Sequence, residues 1–157
     1  IGSDNWFLAY VHIAHDCIVG DHTIFSNNAA LAGHVKVADW VILSGYASVH
    51  QFCQIGAHAF VGMNTSLTQD VPPFVLLSGN PAQAHGVNLE GLKRRGFERQ
   101  QLNAIRQAYK LIYKSNLTLE QAKDALAAYV SELDEASAND VNLMIDFLGA
   151  TTRGIVR

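Results

Sequence analysis

The sequence predicts a parallel β-helix of hexapeptide repeats followed by a small all-α domain. Three observations carry that prediction. Stepping by six from Ile1 through Phe7, Ile13, Val19 and Phe25 to Val61 and Leu67 meets only aliphatic residues or Phe. The fifth place of each hexad is small or β-branched in eleven of twelve rows, from Val11 and Cys17 to Thr65 and Val71, with Asn5 the exception. The pattern stops at Pro72-Pro73, where ladder donors are lost and φ is fixed, and the hydrophobic spacing then becomes helical. A six-residue period is the mark of a coil with three flat sides, so residues about 18 apart stack on one another.

Taken in order, residues 1–73 form the β-helix, about four coils. Ile1 falls on the repeat and nothing there caps a solenoid, so earlier coils are expected to precede it. Residues 74–88 read as an extended connecting segment with a turn at Gly79-Asn80-Pro81. Residues 89–157 form the helical domain. Its first helix runs from about Glu90 to Tyr113, with Leu102, Ile105, Tyr109 and Ile112 at helical spacing. Thr118 is the N-cap of a second, with Gln121 completing a capping box and an end near Leu133. A third, from about Asn139 to Leu148, precedes the tail that begins at Thr151.

The chain has 157 residues, 49% hydrophobic and 16% charged, enough for one compact domain or two small ones. No stretch suits a membrane span and no signal peptide opens the chain, so membrane insertion is not expected. Cys17 and Cys53 share a column two coils apart, roughly 9–10 Å by rung spacing, too far to bridge. Both read as small core residues of a reduced, cytoplasmic protein. Residues 93–114 hold seven bases against Glu98 alone, and residues 115–146 hold seven acids against Lys123. A nucleic-acid binder would be basic over a whole face with interleaved aromatics. The partner expected instead is a small acidic protein or a phosphate, with solvated helix faces as the plain alternative.

Stacking at 18 gathers chemistry at one corner. His15, Gly33 and Gln51 share a column; Asp16, His34 and Phe52 form the next, and Ala14, Ala32 and His50 the one before. His12 lies one corner earlier on the same coil as His15. Histidine is the usual general base near neutral pH, and a neighbouring carboxylate fixes its tautomer. Gly33 could offer a bare backbone N–H to an oxyanion, as acyl transfer needs. Base, orienter and oxyanion donor suffice without a covalent nucleophile. His22 and His58, at the fourth place of their rows, read as solvent-facing turn residues. A zinc site from His12, His15, His34 and His50 is the sharper rival, but stacked columns set side chains side by side, so no metal is expected. Cys17, on an inward position, is neither ligand nor nucleophile.

These residues sit in strings that resemble a known family. HIAHDC at 12–17, NNAALAGHV at 27–35, VHQFC at 49–53, QDVPP at 69–73, NLEGLKRRGF at 88–97 and the closing TRGIVR look like the acyl-carrier-protein–UDP-N-acetylglucosamine O-acyltransferases of lipid A synthesis. The resemblance covers the whole chain. It implies a left-handed coil, a homotrimer with active sites in clefts between subunits, and a cytoplasmic protein of the Gram-negative type. It also implies transfer of an (R)-3-hydroxyacyl group from acyl carrier protein to the 3-hydroxyl of UDP-N-acetylglucosamine. No cofactor is implied beyond the phosphopantetheine of the carrier.

Carried over by motif, His15 is the general base, Asp16 its partner and Gly33 the oxyanion donor. His12, His34, His50 and Gln51 bind the sugar and its acyl group. Asn88, Glu90, Arg94 and Arg95 hold the uridine diphosphate end, where forked guanidinium hydrogen bonds suit a diphosphate. The basic cluster would receive the acidic carrier. Pro81 stands where some members carry His. Met63 stands where others have Gly, at a position resembling a ruler of acyl length, which implies a medium-length donor. The alternatives are the sibling N-acyltransferase that acts on the 2-amine of the next intermediate, a β-helical scaffold without catalysis, and a zinc hydratase of the carbonic anhydrase kind.

Overall fold

A computed structural model describes all residues, 1–157. The chain forms two compact units, one of residues 1–88 with 151–157 and one of residues 89–150. The first is the expected coil. Its eleven two-residue strands begin with β1 (Trp6–Phe7), β2 (His12–Ile13), β3 (Ile18–Val19) and β4 (Ile24–Phe25). Next come β5 (Ala30–Leu31), β6 (Lys36–Val37), β7 (Ile42–Leu43) and β8 (Ser48–Val49). The last three are β9 (Gln54–Ile55), β10 (Phe60–Val61) and β11 (Ser66–Leu67).

Parallel pairing at an offset of 18, as in His12 with Ala30 and Ala30 with Ser48, sorts the strands into three faces. The first face stacks β1, β4, β7 and β10, the second β2, β5, β8 and β11, and the third β3, β6 and β9. The hexad positions explain this directly. First-place residues Phe25, Leu31, Leu43 and Ile55 point inward, as do fifth-place Ala29, Val35, Val41 and Cys53, all at most 1% exposed. Cys17 is only half-buried, because it belongs to the first coil of the chain, and its Sγ donates to the Ala32 carbonyl at 3.1 Å.

Each corner turns on a left-handed residue at the fourth place of the hexad. Asp16, His34 and Phe52 have φ of 59°, 61° and 66°, and the same holds for Trp40 and Tyr46 at the other corners. That conformation costs an L-residue about 1–2 kcal/mol. It is held by the ladder from the second coil on: the N–H groups of His34, Trp40, Tyr46 and Phe52 each donate to the coil before, as His34 does to the His15 carbonyl at 3.0 Å. At the corner between the third and first faces, rings stack on successive rungs, His22 on Trp40 at 4.2 Å and His58 on Phe74 at 5.6 Å. His22 and His58 are turn residues as expected, but this stack half-buries them.

The connecting segment differs from the expected simple crossing. It forms β12 (Val75–Ser78), which continues the first face beside β10, and β13 (Gln83–Val87), which returns antiparallel to it. The step shortens from 18 to 16 between Leu67 and Val71, ahead of Pro72-Pro73: Leu67 still pairs with Val49, but Val71 bridges Ile55 and Leu76 pairs with Phe60.

The helical unit holds α1 (Leu89–Arg94), α2 (Arg99–Tyr113), α3 (Leu119–Val130) and α4 (Glu135–Ala150). The single helix expected from Glu90 to Tyr113 is broken. Gly96 takes φ of 83°, and bonds from Gly96 N–H to Lys93 and Phe97 N–H to Leu92 close a Schellman turn. Thr118 caps α3 as expected: its hydroxyl accepts from Gln121 N–H, and Gln121 Oε1 accepts from Thr118 N–H. α4 begins four residues earlier than the hydrophobic spacing suggested, because Asp134 accepts from the Ser137 N–H and hydroxyl. The tail is not part of the helical unit. Residues 151–157 return to the coil, with Ile155 bridged to Asp70.

Candidate active site

The corner between the second and third faces carries the expected cluster. Left-handed turns at Asp16 and His34 aim both side chains the same way on neighbouring rungs. His15 Nδ1 lies 2.9 Å from Asp16 Oδ2, and His34 Nε2 lies 3.9 Å from the same oxygen. The His15 and His34 rings meet edge to face at 5.1 Å, and His34 stacks on Phe52 at 4.8 Å. The hydrogen bond from His15, then the field of His34, hold the Asp16 carboxyl below the usual carboxylate range. An ionised Asp16 keeps the His15 proton on Nδ1 and leaves the lone pair on Nε2, the arrangement a general base needs.

Gly33 lies directly beneath that ring. A Cβ at Gly33 would sit 2.6 Å from His15 Cε1 and 2.7 Å from Nε2. Its N–H is also free, for a reason visible by comparison with another corner. Between the third and first faces, Asp21 accepts the N–H of Ser3 at 2.6 Å and Asp39 that of Asp21 at 2.8 Å, each carboxylate capping the rung before it. On the His15 column the corresponding place above Gly33 is Gln51, which makes no such bond, and the Gly33 N–H has no acceptor within the chain. A base nitrogen and an uncommitted N–H thus sit side by side. Replacing Gly33 by Ala is expected to cut turnover about 100-fold, since misplacing a catalytic group by an ångström has that effect. Stability should barely change, because the His15 ring is exposed and can swing away. Steady-state rates beside a thermal melt check both halves.

A groove of about 420 Å³ runs along the second face beside this corner. Its floor is made of small side chains, Ala30, Ala32, Ser48 and Ser66, with His12 and His50 on its walls. Reasoning from the motifs missed Ala30, Ser48 and Ser66, although their signal was present: the sixth and second places of the hexads on this face are small or Thr except at His12 and His50. His50 Nδ1 lies 3.1 Å from the Gln51 carbonyl, and Gln51 is exposed on the His15 column.

The other expected residues are placed elsewhere. Asn88 is 4% exposed and its Nδ2 donates to the His58 carbonyl at 3.0 Å, at the corner between the third and first faces. Glu90, Arg94 and Arg95 belong to α1 or its end in the helical unit. Glu90 pairs with Lys93 at 2.9 Å, Arg94 is exposed, and burial lowers the Arg95 guanidinium. Met63 is 68% exposed at the corner between the first and second faces, outside the groove lining. Burial pushes the Cys53 thiol up to about 11, so it is no nucleophile. His15, Asp16 and His34 offer three ligand atoms within 4.8 Å of one another, so they, rather than four histidines, are the group able to hold a metal ion.

The chain is similar to known proteins over its whole length. Residues 70–156 match the second domain of UDP-N-acetylglucosamine O-acyltransferase, and residues 1–33 match the bacterial transferase hexapeptide repeat. The chain is 52% identical over its whole length to an acyl-[acyl-carrier-protein]–UDP-N-acetylglucosamine O-acyltransferase of Thiobacillus denitrificans, covering 59% of that protein. It is 55% identical to the one from Verminephrobacter eiseniae, covering 60% of it. The chain therefore spans about three fifths of the length of these curated relatives. Among solved structures, the UDP-N-acetylglucosamine O-acyltransferase of Moraxella catarrhalis superposes with a TM-score of 0.93 at 40% identity, covering all of this chain and 59% of that one. The Francisella novicida UDP-N-acetylglucosamine acyltransferase gives 0.93 at 35%, covering all of this chain and 56% of its own. With its repeat, its His-Asp corner and a match over more than half its length, the chain belongs to the UDP-N-acetylglucosamine O-acyltransferase family.

Proposed function

We propose that the protein transfers an (R)-3-hydroxyacyl group from acyl carrier protein to the 3-hydroxyl of UDP-N-acetylglucosamine, the first step of lipid A synthesis. The observation that carries this reading is the His15–Asp16 pair held over the free Gly33 N–H. His15 Nε2 takes the proton of the sugar hydroxyl as its oxygen attacks the thioester carbon. The Gly33 N–H meets the oxyanion, and collapse expels the pantetheine thiolate, which the His15 imidazolium protonates. No cofactor is required. The groove with His12 and His50 on its walls receives substrate, with His34 and Gln51 beside it.

Carrier binding is supported by α2. Arg99, Arg106 and Lys110 are exposed at helical spacing, and Lys114 follows at its end, forming one basic stripe along the edge of the face that buries Leu102, Ile105, Tyr109 and Ile112. Such a stripe suits an acidic carrier protein. Assembly as a homotrimer is supported by the first face, whose outward places hold Trp6, Ile24, Ile42 and Phe60, with Trp6 69% exposed. No helix is long and apolar enough to cross a membrane, and a cytoplasmic location is part of the proposal.

Incubating the protein with 3-hydroxyacyl carrier protein and either UDP-N-acetylglucosamine or the mono-acylated glucosamine tests the reading. Acylation of the first at its 3-hydroxyl is expected; acylation of the second alone would assign it to the sibling N-acyltransferase, and neither would leave a scaffold. Met63 sets the expected donor length to medium. Met63→Gly should shift preference toward longer donors by about tenfold or more, since each methylene accommodated in an apolar pocket is worth that much. A donor profile across chain lengths reads the shift, and an unchanged preference removes Met63 as the ruler.

A further inference from the structure

We infer that His15, Asp16 and His34 form a binding site for a first-row divalent metal ion, Zn²⁺ or Co²⁺, whose occupancy switches the base off. Only the second half rests on the functional reading above. The site is built by the coil itself. Left-handed turns at Asp16 and His34 project their side chains from adjacent rungs in one direction. Stacking on Phe52 at 4.8 Å holds the His34 ring with Nε2 toward the carboxylate. Asp16 Oδ2 therefore stands between two imidazole nitrogens, 2.9 Å from one and 3.9 Å from the other.

The donor set and the spacing fit a transition metal. Ligand atoms around tetrahedral zinc, with bonds near 2 Å, lie about 3.3 Å apart. All three atoms are already within 4.8 Å of one another. Side-chain exposures of 73%, 66% and 43% leave the three groups room to close the remainder by rotation. Two imidazoles and a single carboxylate favour zinc, cobalt, nickel or copper over calcium and magnesium. The fourth position opens to solvent. The corner between the third and first faces supplies a natural contrast: His22 Nδ1 lies 3.8 Å from Asp4 Oδ2, but the next rung offers Trp40, which is no ligand.

The consequence for catalysis follows from proton positions. In the free site the neutral His15 ring carries its proton on Nδ1 and its lone pair on Nε2. A metal ion takes the Nδ1 lone pair, so the same proton resides on Nε2. No proton is gained or lost, yet the nitrogen facing the substrate no longer accepts one.

Cobalt is the probe, because its ligand-field absorption reports imidazole and carboxylate ligation without any substrate. The full chain, freed of metal by chelator, should take up one Co²⁺ with that band, and Zn²⁺ should displace it. Asp16→Asn and His34→Asn should each weaken binding at least about tenfold, while His22→Asn leaves it unchanged. Zn²⁺ should then suppress acyl transfer and a chelator restore it. Absence of the band at millimolar Co²⁺, or a band that survives in both the Asp16 and His34 variants, overturns the site. Binding with undiminished transfer overturns the switch. Transfer missing from the metal-free protein would instead count against the functional reading alone.

Discussion

Replacing His15 by Ala should lower acyl transfer on the order of 1,000-fold while leaving the fold intact. General bases contribute about 100- to 10,000-fold, and no other group stands where it could substitute. His34, the next imidazole, has its Nε2 turned to Asp16 and its ring packed on Phe52. His12 and His50 lie on the walls of the groove. The residual rate reports what Gly33 and substrate binding supply without a base. The fold should survive because the His15 side chain is 73% exposed and makes no core contact. Asp16→Asn separates the roles further: an amide cannot hold the proton on Nδ1, so turnover should fall while substrate affinity changes little. Single-turnover rates with circular dichroism as the fold control decide this. Transfer retained in His15→Ala would remove the mechanism.

The coil and its corner cluster were legible because a period of six is both a fold signature and an address. Once each coil holds 18 residues, His15 must stack on Gly33, and Asp16 on His34. What the period did not disclose was backbone conformation. Trp40, Tyr46 and Phe52 are bulky residues that ordinarily avoid positive φ, yet each adopts it at the fourth place. Local preference is overridden there by the ladder bonds of the neighbouring coils, which no short window of sequence displays. The break between α1 and α2 was more accessible: Arg-Arg-Gly-Phe places Gly where a Schellman turn wants it, and hydrophobic spacing alone ran across it. The return of the tail to the coil rests on contacts between residues 81 apart, such as Thr151 with Asp70. Asp70 carried no sign in the sequence of the part it plays.

That part predicts the largest effect on stability. Asp70 is fully buried, and its carboxylate gathers three donors from two directions. Oδ1 accepts from Gln54 N–H at 2.8 Å, and Oδ2 accepts from the Thr151 hydroxyl at 2.5 Å and Thr152 N–H at 3.4 Å. Its backbone is engaged as well, donating to the Gly154 carbonyl at 3.0 Å and accepting from Val156 N–H at 2.9 Å. Around this anchor the tail buries Ile155 and Val156 at 5% and 3% exposure. Asp70→Ala leaves the Gln54 N–H and the Thr151 hydroxyl without their acceptor. Hydrogen bonds to a charged group are worth about 1.5–3 kcal/mol each, so a loss of about 3 kcal/mol or more is expected. For a chain of this size that lowers the melting temperature by roughly 10 °C. Asp70→Asn keeps the shape but turns an amide N–H₂ toward one set of donors, so it should recover little. Thr151→Val removes one donor only and should cost about 1 kcal/mol. Amide exchange at Val156 should quicken in Asp70→Ala far more than exchange at Phe25, deep in the coil. An unchanged melt would mean that the tail is held by Ile155 and Val156 alone.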